Sequence, residues 1–252
     1  MIIRWLLLVV FLCAQVAPNV GSADGTTGPA AVQQAPDPDQ LYADREHLQS
    51  ALEAAAVWEA RLARNPRDFD AAWKLARACY WLGSHVPRAD QRRRYQRGID
   101  AGRQAVEIES GRPDGHFWMA ADMGALAESF GLRAGLTYRS PIKRELEIVL
   151  AIAPSYQEGS ADRALGRWYL RVPGLLGGSK TRSVEHLRRS LTYDPGSAAT
   201  HFFLADTYLE MNRREEARQE LLRVLEAPVP PEWIPEVMAF KEKARAQLSQ
   251  FQ

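Results

Sequence analysis

The chain has 252 residues, enough for one elongated domain, and its formal net charge is only +1. This balance excludes a global electrostatic attraction to nucleic acid or to an anionic membrane surface. Beyond the N-terminal region no hydrophobic stretch approaches 18 residues, which excludes an integral membrane span in the mature chain.

Residues 1–23 have the pattern of a secretory signal peptide. Arg4 gives a positive start, Trp5–Val16 is apolar, and Gly21-Ser22-Ala23 offers small residues at positions −3 and −1 of a cleavage site. An uncleaved N-terminal anchor is the alternative, although the segment is short for a membrane span. The two residues before Cys13 are bulky, which argues against a lipoprotein. We therefore expect a periplasmic protein, exported through a cleavable signal peptide.

The remaining chain divides into a linker and a repeat domain. Residues 24–40 are rich in Gly, Pro, Thr and Gln, which predicts a disordered linker. From Leu41 onwards apolar residues recur at helical spacing, which predicts a helical repeat domain over residues 41–252. Cleavage would leave Cys79 as the only cysteine, and its apolar surroundings favour a buried thiol over a reactive one.

Four residue–proline dipeptides, each typical of a helix end, divide the repeat domain at intervals of 41 to 47 residues. They are Asn65-Pro66, Arg112-Pro113, Ala153-Pro154 and Asp194-Pro195. A period of this size built from helix pairs is typical of a solenoid. After Pro228–Pro231, a last amphipathic helix over about Pro235–Gln250 is expected to cover the final apolar face.

The clearest repeat unit is Thr200–Val224. One face of its first helix carries His201, Leu204, Ala205 and Tyr208, and its second helix presents Ala217, Leu221 and Val224. This order of large, small and aromatic residues resembles a tetratricopeptide repeat (TPR). The resemblance implies an all-α, right-handed superhelical solenoid of about five irregular TPR-like helix pairs with a C-terminal capping helix. First helices would line its concave face.

Three segments look like insertions between the two helices of a unit, because the units are longer than the TPR norm of about 34 residues. They are Gly83–Arg94, Glu128–Ser140 and Val172–Thr181. Long loops repeated on one side of a solenoid tend to line one functional surface. In the first segment, Arg92, Arg93 and Arg94 could grip a carboxylate or phosphate, although a solvated helix face is the simpler interpretation.

The third segment contains the string Gly174–Thr181, which misses the phosphate-binding P-loop pattern because Ser179 replaces its second glycine. A glycine-rich turn at Gly177 and Gly178 that caps the next helix is the favoured interpretation. The longer segment Leu165–Leu191 resembles the T-component of TRAP transporters. The matching positions are Gly177, Gly178, Val184, Leu187 and Leu191. This resemblance implies a helical scaffold that hands ligand to, or docks on, a periplasmic solute-binding subunit.

Aromatic residues beyond those needed for packing suggest a binding face. They are Trp81, Trp118 (or Phe117), Tyr169 and Phe202 (or Phe203). Asp122 lies one turn after Trp118, and Asp206 one turn after Phe202, so each aromatic–acid pair shares a helix face. Such a face would suit an amphipathic peptide or a small ligand. The alternative is ordinary interhelix core, from which an unpaired carboxylate is disfavoured.

We find no catalytic or metal-binding constellation in the sequence, because the histidines are scattered and no GxSxG motif is present. His116 and His201 occupy comparable places in two units, which suggests a repeated packing role, although the two units also align with a shift of one residue. We therefore predict no cofactor and a non-enzymatic exported TPR scaffold that binds another protein or an extended peptide. The alternatives are a small-ligand carrier associated with a TRAP-type transporter, an enzyme, and a purely structural envelope element.

Overall fold

The computed structural model describes residues 37–251, so the predicted signal peptide and most of the predicted linker lie outside the described residues. Within this range the chain forms eleven α-helices and no β-strand. The helices are α1 (Pro38–Ala43), α2 (Leu48–Arg64), α3 (Phe69–His85), α4 (Arg88–Ile108), α5 (Pro113–Phe130), α6 (Leu132–Ile152), α7 (Ser160–Arg171), α8 (Lys180–Ser190), α9 (Ala198–Glu210), α10 (Arg214–Glu226) and α11 (Ile234–Leu248). Short 3-10 turns cover Gly174–Leu176, Pro231–Trp233 and Ser249–Phe251. None of the helices in residues 37–251 has an apolar stretch long enough to cross a bilayer.

The helices pack as adjacent pairs. The pairs are α1 with α2, α3 with α4, α5 with α6, α7 with α8, and α9 with α10. First helices of successive pairs also touch, because α3 contacts α5, α5 contacts α7, α7 contacts α9, and α9 contacts α11. These two sets of contacts describe a solenoid of helix pairs closed by α11, which confirms the predicted all-α fold and its capping helix.

Local capping explains where several helices begin. The Asp68 side chain accepts a hydrogen bond from the backbone N–H of Ala71 at 3.0 Å and so caps α3. Asp37 caps α1 in the same way, and Pro38 occupies the first turn of that helix, where its missing N–H costs nothing. The predicted linker therefore extends too far, since residues 38–40 are already helical.

Two of the three predicted insertions are helix rather than loop. Only Val86 and Pro87 separate α3 from α4, and only Gly131 separates α5 from α6. Arginine, leucine and glutamine in these segments are good helix formers, so the added residues extend the helices themselves. As a result, α4 and α6 each have 21 residues, whereas α10 has 13. Val172–Thr181 alone of the three contains a loop, between α7 and α8.

The apolar core consists of two clusters, one running from Tyr42 to Tyr169 and the other from Val184 to Ala244. The boundary falls between α7 and α8, where polar groups meet. His186 on α8 donates from Nδ1 to Oδ1 of the fully buried Asp162 on α7 at 2.7 Å. Helix packing continues through this boundary, where Leu187 of α8 also packs directly against Gly166 of α7.

A hydrogen-bonded histidine ties α5 to α6. His116 donates from Nδ1 to Oε2 of Glu145 at 2.6 Å, and from Nε2 to the carbonyl of Ser110 at 3.0 Å. A carbonyl can only accept, so Nε2 carries one proton and a second lies between Nδ1 and the carboxylate. The hydrogen bond to Glu145 raises the pKa of His116. Burial acts to raise the pKa of Glu145, but hydrogen bonds from His116 and Arg144 outweigh it and lower this pKa.

The same arrangement recurs between α9 and α10. His201 donates from Nδ1 to Oε2 of Glu220 at 2.6 Å, and from Nε2 to the carbonyl of Pro195 at 2.9 Å. We call each of these arrangements a histidine lock. Because the two locks are equivalent, the direct alignment of the two units is correct and the shifted one is wrong. Asp122 therefore corresponds to Thr207 and not to Asp206.

Other pairs fill the lock positions differently. In α7 and α8 the polarity is reversed, with Asp162 in the place of the histidine and His186 in the place of the glutamate. In α3 the place of the histidine is taken by Ala72. There Gln104 of α4 donates from Nε2 directly to the carbonyl of Pro66 at 2.8 Å. The helix pairs thus share one site of interhelix polar contact but differ in its chemistry.

Candidate functional site

The first helices form one continuous surface, which we call the first-helix face. Its central row consists of Arg77, Ala121, Arg167 and Asp206, which hold equivalent places in α3, α5, α7 and α9. Arg167 donates from Nε to Glu128 at 2.7 Å and lies 4.6 Å from the ring centroid of Phe203. Gln247 of α11 donates to Asp206 at 3.1 Å. These contacts join α5 to α11 across the face and hold the repeats in register.

The centre of this face is a hollow. α5 contributes three small residues there, Ala121, Gly124 and Ala125. A Cβ added at Gly124 would meet no atom within 4 Å. Tyr80 of α3 flanks the hollow with 41% of its surface exposed, and its ring lies 5.7 Å from that of Trp118.

Arg163 of α7 is half-buried and lies one turn before Arg167, so the two share a helix face. Among the described residues it makes no ion pair within 4 Å, and its side chain donates only a long hydrogen bond of 3.5 Å to Ser197 Oγ. Burial lowers the pKa of Arg163 and raises the pKa of Tyr80, so both groups are partly desolvated. The first-helix face therefore offers an exposed aromatic ring on α3, and on α7 a half-buried guanidinium that makes no ion pair among the described residues.

The aromatic residues that the sequence assigned to a binding face are buried instead. Trp81, Trp118, Tyr169 and Phe202 are each between 5% and 7% exposed. Trp81 stacks on His85 with ring centroids 3.7 Å apart, and Phe202 packs on Phe240 at 5.4 Å. These four rings are interhelix core, the alternative that the sequence left open, because helix contacts cover the face on which they lie.

Asp122 departs most from expectation. It is fully buried, and neither carboxyl oxygen has a hydrogen-bond partner among residues 37–251. It lies against Gly98 of α4, where an added Cβ would be 2.2 Å from Oδ2. Burial raises the pKa of Asp122 well above its usual 3.8 and so favours the protonated carboxyl. The neutral form has a lower free-energy cost of burial than the carboxylate that the sequence argument considered. Because it is buried, Asp122 is inaccessible to a surface ligand.

The other predicted acid stays on the first-helix face. Asp206 is already bonded to Gln247, and its carboxylate lies 4.0 Å from the guanidinium of Arg167. In the direct alignment Trp118 corresponds to Phe203, one residue after Phe202. The two aromatic–acid pairs, Trp118 with Asp122 and Phe202 with Asp206, are therefore offset by one residue in this alignment.

The predicted arginine cluster lies on α4, and its three members have different surroundings. Arg92 stacks over the ring of Phe130 at 4.2 Å, and Arg93 donates to Asp90 at 2.8 Å. Arg94 is half-buried, and its Nε finds no hydrogen-bond partner among the described residues. The three guanidiniums do not converge on one point, which agrees with the simpler interpretation of a helix face.

Gly177 and Gly178 are required by the backbone of the loop between α7 and α8. Gly177 has φ +102°, in the left-handed region, and a Cβ on Gly178 would lie 1.7 Å from the carbonyl oxygen of Val172. Ser179 then accepts a hydrogen bond from the N–H of Arg182 at 3.3 Å and caps α8. The predicted glycine-rich turn with a helix cap is therefore confirmed.

A cleft of about 400 Å³ opens beside Gly177, between α6 and the α7–α8 loop. We call it the cationic cleft, because its charged lining residues are Arg139, Lys143, Arg144 and Arg182 against Glu147 alone. The buried rings of Trp168 and Tyr169 form one wall. Sequence analysis missed this site because Arg139 and Arg182 belong to different repeat units and meet only through the loop.

The described residues offer little for metal or nucleophilic chemistry. Within residues 37–251 one group brings three potential metal ligands together, Asp44, Glu46 and His47, and all three are exposed. Asp44 is already bonded to His47 at 2.8 Å and to Ser50 at 2.8 Å. Burial raises the pKa of the Cys79 thiol, which opposes formation of the reactive thiolate.

Comparisons with solved structures support the fold. TTC0263, described as a thermophilic TPR protein in Thermus thermophilus, is 21% identical, with a TM-score of 0.63 over 84% of this chain and 97% of its own. MamA (41-end) from Desulfovibrio magneticus RS-1 is 16% identical, with a TM-score of 0.50 over 77% of this chain and 96% of its own. At these identities the similarity concerns the fold alone. No curated protein sequence matches the chain.

Two family models match the sequence itself. Residues 36–176 match the family described as "Regulator of microtubule dynamics protein 1-3", and residues 181–233 match a family described as "Tetratricopeptide repeat". Neither is a TRAP transporter component, so the narrower resemblance at Leu165–Leu191 is not supported. The first match spans more than half of the 252 residues. The chain therefore belongs to the regulator of microtubule dynamics protein 1-3 family, and it is built from tetratricopeptide repeats.

Proposed function

We propose that the chain is a non-enzymatic scaffold that binds another protein or an extended peptide through the first-helix face. The observations that carry this proposal are three features of that face: the open space at Gly124, the exposed ring of Tyr80, and the guanidinium of Arg163, which makes no ion pair among the described residues. Tyrosine and arginine are enriched at the energetic centres of protein interfaces. Helical-repeat solenoids use an extended concave face for binding, and the first helices supply such a face here.

We also propose that this scaffold works in the periplasm of the cell envelope. The support is the sequence pattern of residues 1–23 and the single cysteine that would remain after cleavage. The description of its family refers to microtubule dynamics. Our proposal for this chain is limited to binding of a protein or peptide. N-terminal sequencing of protein from the periplasmic fraction should begin at Asp24. Protein that keeps Met1 and stays with the cytoplasmic fraction would contradict export.

The binding face can be tested by site-specific photo-cross-linking in cells. Tyr80 is replaced by a photoreactive phenylalanine analogue, and Tyr193 is replaced in a matched control because it is 39% exposed against 41% for Tyr80. A partner on the first-helix face should give a discrete cross-linked product from position 80 and none from position 193. Mass spectrometry of the product would identify the partner.

A second variant makes the result specific. Arg163→Glu reverses a charge on the α7 part of the first-helix face and removes only one long hydrogen bond. We expect it to abolish the cross-linked product from position 80 while circular dichroism shows that the chain stays folded. Equal cross-linking from positions 80 and 193, or a product insensitive to Arg163→Glu, would show that this face is not the binding surface.

A further inference from the structure

The cationic cleft is separate from the first-helix face and holds two guanidiniums without a carboxylate partner among the described residues. Of its four cations, Lys143 pairs with Glu147 and Arg144 pairs with Glu145. Arg139 and Arg182 form no ion pair with any carboxylate of residues 37–251, although both line the same cleft of about 400 Å³. Two positive charges are therefore uncompensated within one surface depression.

The guanidinium of Arg139 is hydrogen-bonded before any ligand arrives, and that of Arg182 lies near an aromatic ring. Arg139 donates from Nη1 to the carbonyl of Leu176 at 3.2 Å, and its own carbonyl accepts a hydrogen bond from Nε1 of Trp168 at 2.9 Å. Arg182 lies in the first turn of α8, with its guanidinium 5.7 Å from the ring centroid of Tyr169. Since binding must otherwise order long side chains, this preorganisation lowers the entropic cost of engaging an anion.

We propose that the cationic cleft binds an acidic segment of a partner polypeptide, with one carboxylate side chain for each unpaired guanidinium. Planar guanidinium forks match carboxylates through paired hydrogen bonds. This inference rests on the proposed function, because it takes the partner to be a polypeptide, and it adds the partner's charge. An acidic segment supplies the required negative charge without phosphorylation, which consumes ATP and is therefore scarce outside the cytoplasm.

The surroundings of the cleft also suit a peptide better than an enclosed metabolite. Ser140, Gly177 and Arg182 at its edge are exposed, so the cleft is open to solvent. Leu175, at the tip of the adjoining loop, is fully exposed. An apolar residue flanking the acidic pair would find a contact there, whereas a small anion would leave Leu175 in water.

The proposal is tested with the mature chain and two fluorescein-labelled peptides, Gly-Ser-Leu-Glu-Glu-Leu-Ser-Gly and its Gln-Gln counterpart. We expect the Glu-Glu peptide to bind at least tenfold more tightly by fluorescence anisotropy and to weaken as NaCl rises. Arg182→Gln should reduce its affinity at least fivefold, and Arg139→Gln with Arg182→Gln should reduce it further. Arg133→Gln is the matched control, because Arg133 is an exposed arginine of α6 outside the cleft, and it should leave binding unchanged.

Several outcomes would overturn the proposal. One is equal binding of the two peptides, and another is a Glu-Glu affinity that Arg182→Gln leaves intact in a chain shown to be folded by circular dichroism. A third is binding of a phosphoserine peptide, or of phosphatidylcholine vesicles containing phosphatidylglycerol, when the Glu-Glu peptide does not bind. Cross-linking from position 80 reports on the first-helix face alone. A cross-linked product from position 80 without binding of the Glu-Glu peptide would contradict only the cationic-cleft proposal. Binding of the Glu-Glu peptide without that product would contradict only the assignment of the first-helix face.

Discussion

The helix pairs α5–α6 and α9–α10 contain the same histidine lock. They differ in whether the side chain six positions after the histidine is hydrogen-bonded. In α9 that residue is Thr207, whose Oγ1 donates to the carbonyl of Phe203 at 2.8 Å and lies 2.9 Å from Ser183 Oγ. In α5 it is Asp122, whose carboxyl oxygens have no partner among the described residues. Both side chains are fully buried. The repeat thus imposes burial at this position, and the residue type decides whether burial costs free energy.

The comparison also indicates how large that cost is relative to loss of the lock. A hydroxyl can donate to the carbonyl four residues earlier on its own helix, which a neutral carboxyl does not do here. An unsatisfied buried polar group costs about 1–3 kcal/mol. Removing one partner of a buried ion pair costs more, about 3–5 kcal/mol, because the remaining charge is left buried and unpaired.

Breaking the lock should give the largest effect. His116→Ala leaves Glu145 buried with Arg144 as its remaining charged partner, so we expect the free energy of unfolding to fall by about 3–5 kcal/mol. His201→Ala should have a similar effect, because Glu220 keeps only Arg223. Urea denaturation followed by circular dichroism measures both. His47→Ala, which removes an exposed histidine, should change stability by less than about 0.5 kcal/mol. A loss below about 1 kcal/mol at His116 would mean that the lock is dispensable.

Exchanging the residue types of Asp122 and Thr207 should give the second-largest change in the free energy of unfolding. Asp122→Thr places a hydroxyl within reach of the carbonyl of Trp118, as Thr207 reaches that of Phe203, and we expect stability to rise by about 1–3 kcal/mol at pH 7. The reverse exchange, Thr207→Asp, should lower stability by a similar amount. If both substitutions destabilise the chain, the two positions are not equivalent and the direct alignment of the units is wrong.

The pH dependence sharpens the same difference. The pKa of Asp122 is raised by burial above its unfolded value of 3.8, so the folded state binds the extra proton and stability falls as pH rises above that value. One such group contributes a slope of up to about 1.4 kcal/mol per pH unit. His116 adds to this trend, because its raised pKa gives stability that is complete below 6.5 and is lost as pH rises through the folded value. The lowered pKa of Glu145 gives stability that is present above 4.5 and is lost at lower pH.

We therefore expect stability to decline between about pH 5 and pH 8. Denaturant midpoints measured across this range for the unsubstituted chain and for Asp122→Thr give the test. The substitution should flatten the curve and leave the smaller contribution of His116. Equal slopes for the two chains would show that Asp122 is already ionised in the folded state.

The helix pairs could be predicted from sequence because their signals are local. Apolar residues at helical spacing and the proline steps specify where helices begin and end, and the capping residue Ser179 marks the start of α8. The loop assignment of Gly83–Arg94 was wrong because the extra length of a repeat can be placed in a loop or in a longer helix. The Arg-rich sequence of α4 favours helix.

The candidate site could not be predicted in the same way, because it depends on tertiary contacts. Spacing correctly placed Trp118 and Asp122 on one helix face, but only the packing of α4 against α5 shows that this face is buried. The raised pKa of Asp122 follows from that burial. Arg139 and Arg182 are brought together by the backbone of the α7–α8 loop, which no periodic pattern encodes.

The smallest expected effect concerns α3–α4, a helix pair without a histidine lock. Gln104→Ala removes one hydrogen bond, from Gln104 to the carbonyl of Pro66, and both groups are near solvent. Water can replace the lost donor, so we expect a loss of only about 0.5 kcal/mol, at the low end for a neutral hydrogen bond. Urea denaturation beside His116→Ala in the same buffer measures the contrast. A loss at Gln104 as large as that at His116 would mean that the lock position matters equally in every pair, whatever residue fills it. The buried charge would then not be the source of the difference.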